Sequence, residues 1–129
     1  MSSYEVSAKK QPDFEVNYRF YVESEGGRKS GSPLQHYRCD WAYESDDVSR
    51  SGVFMIYPEF LDANGEVIQD KVRVPISGRA TMWILNPDLR REVHRVRIAE
   101  GTRGYFMEGG RRVAEAVVTK VLGLYTNET

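Results

Sequence analysis

The stretch Arg103-Gly104-Tyr105-Phe106-Met107-Glu108-Gly109-Gly110-Arg111-Arg112-Val113-Ala114-Glu115-Ala116-Val117-Val118-Thr119-Lys120-Val121-Leu122-Gly123 decides the fold. Aromatic and β-branched residues favour a pleated surface, and the Gly-Gly pair interrupts them where a tight turn needs backbone freedom. The stretch therefore predicts a strand over 103–107, a turn at Gly109-Gly110 and a long closing strand over 111–123. The same alternation recurs upstream, where Phe14, Val16, Tyr18, Phe20 and Val22 share one face of residues 14–23, the clearest strand in the chain. Residues 24–33 form a polar, Gly-rich loop, residues 37–43 an aromatic second strand, and residues 44–50 a charged loop. Two apolar runs, 53–61 and 66–74, flank Asp62-Ala63-Asn64-Gly65, and Asn-Gly between such runs signals a hairpin. Residues 80–85 read as a short strand ended by Asn86-Pro87. Residues 92–99 read as a strand with His94, Val96 and Ile98 on one face and Arg95 and Arg97 on the other, with Arg91 in line, which would make a basic stripe. Helical periodicity is confined to about one turn near residues 88–91. The class is all-β, a sandwich or barrel of short strands.

At 129 residues the chain fits one domain with a self-sufficient core. The expected division is a flexible segment over 1–10, a single barrel over 11–124 and a tail over 125–129. The longest pure apolar run, residues 53–57, is far short of a membrane span, and residues 1–10 carry no signal-like apolar core. A soluble protein without a membrane partner is expected. The single cysteine, Cys39, excludes an internal disulfide and fits a reducing compartment, so the expected location is cytoplasmic.

The net charge of −1 argues against non-specific nucleic-acid binding, but its distribution is uneven. Residues 1–70 sum to −6 and residues 71–129 to +5. Seven arginines fall between Arg90 and Arg112, opposed there by Glu92, Glu100 and Glu108. Arginine's planar fork suits phosphate or carboxylate recognition, so Arg91, Arg95, Arg97, Arg103, Arg111 and Arg112 are the candidate binding group. The competing reading is that the acidic and basic halves neutralise each other as a solvated surface.

Three pieces of the chain occur in an order that resembles the third, C-terminal domain of elongation factor Tu. They are Glu25-Gly26-Gly27-Arg28, then Tyr37-Arg38 opening an aromatic strand, then Glu108-Gly109-Gly110-Arg111 leading into Val117-Val118-Thr119-Lys120-Val121-Leu122-Gly123. The resemblance covers roughly residues 12–60 and 93–123. It implies a six-stranded, closed Greek-key β-barrel that contacts the backbone of tRNA and packs on a GTPase domain. By that resemblance Glu108 and Gly109 lie toward RNA, and Gly26, Gly27, Arg28 and Arg38 lie toward the GTPase or another protein. Two departures stand out: Met107 replaces the family's cation before the second Gly-Gly turn, and Cys39-Asp40 replaces its Pro-Gln pair.

The chain has no Gly-x-x-x-x-Gly-Lys-Ser/Thr motif, so GTP is not an expected ligand. His36, Cys39 and Asp40 have metal-like spacing, but structural zinc takes four ligands and the only other histidine is His94, so no metal or cofactor is expected. The expected function is a non-catalytic binding module for a protein partner or an RNA backbone. Its candidate surface is Arg95, Arg97, Glu108, Gly109, Gly110, Arg111 and Arg112, with no catalytic residues. The alternatives are a small enzyme using His36 or His94 with Cys39, and a homo-oligomeric structural protein. The oligomeric state is open at this point.

Overall fold

The first strand, β1 (Phe14–Phe20), follows from strict alternation: Phe14, Val16, Tyr18 and Phe20 are buried while Asn17 faces out. The computed structural model describes Tyr4 and residues 10–127. Apart from Tyr4 and Lys10, the expected flexible segment over 1–10 lies outside the described residues, as do residues 128 and 129 of the expected tail. The other strands are β2 (Asp40–Tyr43), β3 (Ile56–Phe60), β4 (Ser77–Ile84), β5 (Arg103–Glu108) and β6 (Arg111–Val121). They form one antiparallel sheet in the order β2-β5-β6-β1-β4-β3.

Each strand supplies its inward residues to one aromatic-rich core. The Tyr18 ring lies 5.0 Å from Phe60 and 5.4 Å from Phe20, and the Trp41 ring 5.6 Å from Phe14. Edge-to-face packing of this kind adds about 0.5–1.5 kcal/mol per pair beyond area burial. Gly104 on β5 is required by this core, because a Cβ there would lie 2.3 Å from the Trp41 ring.

The sheet curls into a half-barrel, which corrects the expectation of a closed barrel. Edge strands β2 and β3 are short, and closure needs a staggered ladder between them. Among the described residues only one bridge spans that gap, where Trp41 and Phe54 exchange N–H···O bonds of 2.8 Å. The Ile56 amide then turns back onto the Phe54 carbonyl at 3.0 Å, so the chain leaves the ladder after one pair.

Two expected strands do not form. The Asp62–Gly65 turn is present, with the Asp62 carboxylate accepting from the Asn64 and Glu66 amides, but its second arm pairs only at isolated bridges, Leu61–Val67 and Leu34–Arg73, among the described residues. The buried Gln35 side chain takes over the pairing there, donating to the Phe60 and Ile68 carbonyls at 2.8 Å and accepting from the Phe60 amide at 2.9 Å. The second case is residues 92–99, which are helical up to Arg97. They continue a helical segment made of α2 (Pro87–Leu89), a π-helical turn (Arg90–His94) and α3 (Arg95–Arg97). Asn86 caps this segment by accepting from the Asp88 and Leu89 amides, and Pro87 at the first position needs no donor. The inward face is Arg90, His94 and Ile98, spaced four apart. The charged loop over 44–50 carries one further short helix, α1 (Val48–Ser51), capped by Asp47.

Arg90 and Asp13 are both fully buried and joined at 2.8 Å. Arg90 also donates to the Ile84 carbonyl, while Asp13 accepts from the Ile84 amide and from Asn127 Nδ2. This node ties β1, β4, the helical segment and residues 124–127 together, so the docked chain continues to Asn127. No helix among the described residues is long and apolar enough to cross a membrane.

Candidate binding surface

Helical geometry dissolves the expected basic stripe, because Arg91, Arg95 and Arg97 leave the segment in different directions. Arg91 pairs with Asp88 one turn away. Arg95 donates to the Leu124 carbonyl at 2.8 Å and the Asn127 carbonyl at 2.9 Å, closing the C-terminal turn. Arg97 makes a bidentate pair with Asp46, both bonds 2.9 Å, and its guanidinium lies 3.8 Å over the Tyr43 ring. The Asp46 bonds raise the Arg97 pKa further. These two arginines are committed to the fold and do not converge with the Gly-Gly turn as one basic face.

At the hairpin end, β5 and β6 are joined through Gly109, whose φ of +61° suits glycine, and Gly110, beside which no atom lies within contact distance of an added Cβ. Glu108 sits at the base of the turn and accepts from Arg28 Nε at 2.8 Å, from Arg111 at 3.2 Å and from the Tyr37 hydroxyl. Burial alone would raise its carboxyl pKa; the Tyr37 and Arg28 hydrogen bonds outweigh that and hold it below the usual range. Arg28 also lies 4.8 Å over the Tyr37 ring. The residues assigned by resemblance to an RNA side, Glu108, and to a protein side, Arg28, are thus partners in one ion pair. Gly26 turns the chain at φ +89°, and Gly27 is buried where a Cβ would meet the Tyr21 carbonyl oxygen at 2.0 Å, so both are demanded by the loop itself. Arg111 and Arg112 are exposed, the latter 4.1 Å over Tyr105.

Arg38 lies elsewhere, at an aromatic cleft of about 250 Å3 lined by Tyr4, Lys10, Arg38, Tyr57, Trp83, Ile84 and Leu85. Tyr57 and Trp83 are register partners on β3 and β4 and point away from the core. Tyr4 meets Trp83 edge-on at 5.7 Å, and the exposed Arg38 guanidinium lies 5.4 Å over Tyr57. Leu85 is 47% exposed and Met55 51%; the Leu85 amide donates to the Met55 carbonyl, so the two extend the cleft as an apolar rim. The Trp83 indole N–H is buried without a hydrogen-bond partner among the described residues. Of the cleft, sequence reasoning found only Arg38. The signal that could have found the rest was phase: Ile56 and Phe60 point inward, which turns Tyr57 outward, and Met82 and Ile84 do the same for Trp83.

The chain matches no family model and no curated protein.

The candidate enzymatic groups have separate surroundings. Cys39 is buried, which pushes its thiol pKa far up, away from thiolate chemistry. His94 is buried against Tyr43, with 2.5 Å between its Nδ1 and the hydroxyl; burial first, then Arg97 and Arg90, lower its pKa to about 4. His36 lies between Glu59 at 2.5 Å and Asp70 at 2.8 Å, with the Tyr4 ring 4.8 Å away. Burial lowers the His36 pKa, but the Asp70 and Glu59 hydrogen bonds prevail and the net direction is upward. Among the described residues no group of three or more His, Cys, Asp or Glu is arranged to hold a metal.

Proposed function

We propose that the chain is a non-catalytic, cytoplasmic protein-binding module on a scaffold related to the third domain of elongation factor Tu, with the aromatic cleft as its docking face. The observation that carries this reading is the cleft itself. Tyr4, Tyr57 and Trp83 line a concavity whose rim, Met55 and Leu85, is apolar and half exposed. Aromatic walls and an apolar rim are what protein interfaces select. The electrostatics favour protein over RNA in the same way. Binding to RNA backbone needs several uncommitted cations on one face, whereas Arg95 and Arg97 bond within the fold and Arg28 and Arg111 share Glu108. The order of the two Glu-Gly-Gly-Arg motifs and the closing strand supports kinship to the translation factor's domain, and a shared scaffold does not carry over its ligands.

The test is affinity capture from nuclease-treated lysate with the wild-type chain and with Leu85→Asp and Met55→Asp. A partner held by the wild type and reduced at least about tenfold by either charge supports the reading, since an anchor in an apolar site is worth that much. Equal capture by all three proteins counts against the cleft. Gly109 and Gly110 with exposed Arg111 and Arg112 favour a second reading, contact with an RNA backbone at the hairpin turn. A mobility shift with tRNA at low salt that fades steeply as salt rises, and is lost in Arg111→Glu/Arg112→Glu, would put that reading first.

A further inference from the structure

Three features of the cleft go beyond its being apolar. Among the described residues its lining carries two cationic side chains, Arg38 and Lys10, and no carboxylate. The Trp83 indole N–H, on a residue only 3% exposed, has no acceptor among the described residues, and a buried donor left unpaired is destabilising until something accepts from it. The volume of about 250 Å3 lies below the roughly 300–1,000 Å3 usual for small-molecule pockets and is on the scale of a single side chain.

Resting on the protein-binding reading above, we infer that the cleft takes one aromatic or aliphatic side chain of a partner protein together with a carboxylate adjacent to it in the partner's chain. The apolar group enters between Tyr57, Trp83 and Leu85, and the carboxylate meets Arg38. Arg38 is pre-positioned by stacking on Tyr57, so little side-chain freedom is lost when its fork engages an anion. A neutral partner would satisfy the aromatic walls and leave Arg38 without a carboxylate. A phosphate without an apolar group would leave the walls wet.

The experiment titrates Ac-Phe-Glu-NH2 and its neutral twin Ac-Phe-Gln-NH2 into the whole chain and follows the two indole N–H resonances by NMR. Trp41, fully buried in the core, is the internal reference. The expected result is a shift of the Trp83 resonance alone, about tenfold weaker binding of the Gln peptide, and a similar loss for the Glu peptide in Arg38→Gln. Arg38 is exposed, and an unmoved Trp41 resonance verifies that the variant is folded. Equal binding of the two peptides overturns the carboxylate requirement and leaves apolar docking standing. No Trp83 shift with either peptide at millimolar concentration overturns the inference, while the Leu85→Asp and Met55→Asp captures still judge the broader reading independently. Undiminished binding of the Glu peptide in Arg38→Gln overturns it too.

Discussion

Arg90, Arg95 and Arg97 on the helical segment, and Arg38 before β2 with Arg111 and Arg112 on β6, are the same side chain in opposite uses. The first set faces inward or along the chain and bonds to Asp13, to backbone carbonyls and to Asp46. The second set is exposed, with Arg38 and Arg112 resting on tyrosine faces. A run of arginines in a sequence is therefore no measure of surface potential. What decides is whether a guanidinium's partners also take it out of water: Arg111 meets Glu108 and stays exposed, whereas Arg90 meets Asp13 and is buried.

The largest way to sharpen this contrast is Arg90→Met. It leaves the Asp13 carboxylate buried without its ion-pair partner, and removing one member of such a pair costs about 3–5 kcal/mol. Urea denaturation should show a loss of that size. Arg90→Met/Asp13→Asn should recover much of it, because an uncharged node no longer buries a lone ion. If Arg90→Met melts like the wild type, the inward set is not structural and the comparison collapses.

Next comes the pH response of the two histidines, one in each region. The His94 pKa is about 4 when folded, below its ordinary value of about 6.5, so the folded state resists protonation. Its contribution is complete above the unfolded value and is lost as pH falls from about 6.5 toward about 4, an effect on the order of 2–3 kcal/mol. His36, raised between Glu59 and Asp70, has the opposite sign: its contribution is complete below the unfolded value and is lost as pH rises through the folded one. Stability measured from about pH 8 to about pH 4 should lose its acid-side slope selectively in His94→Asn and its alkaline-side slope in His36→Asn. The reverse assignment would mean that His94 is not the desolvated ring and His36 not the ion-paired one.

Arg97→Ala is expected to cost about 1–2 kcal/mol, because it strips Asp46 of two charge-assisted bonds and uncovers the Tyr43 ring. Arg97 is still partly exposed, so solvent screening keeps the effect below that of Arg90. A thermal melt unchanged by the substitution would place Arg97 with the outward set.

The two regions also differ in how far they could be read beforehand. The closing hairpin and β1 were legible, because their apolar residues alternate and the pleat turns that alternation directly into an inside and an outside. The helical segment was not. Its inward positions are Arg90, His94 and Ile98, so two of the three carry polar labels that no hydrophobic period registers. One local signal was present: Asn86-Pro87-Asp88 is a helix start, with a capping side chain, a residue that needs no N–H donor and an acid in the first turn. Read as the end of β4 with about one helical turn near residues 88–91, it hid the helical turns that follow, up to Arg97. The lost second arm after Gly65 has a similar cause, since Gln35 replaces strand pairing with a side-chain amide from a residue 25 positions before Phe60. Within the candidate surface, Arg38 was found and Trp83 was not. Its exposure class looks like core, and only its phase on β4 shows that it faces away from the core.

The smallest effect belongs to Arg112→Ala. Arg112 is exposed on β6 and rests 4.1 Å over Tyr105, a cation–π contact worth about 0.5–1 kcal/mol at most in such a setting and partly replaced by solvent when removed. A change of no more than about 0.5 kcal/mol in urea denaturation is expected, together with unaltered response of the Trp83 indole N–H to the Glu peptide, because the cleft lining does not include Arg112. A loss approaching that of Arg97→Ala would show that the Tyr105 stack holds the hairpin in place. A weakened peptide response would link the hairpin to the cleft. With neither, Arg112 remains available to a ligand without cost to the fold, which is the property that separates it from Arg90, Arg95 and Arg97.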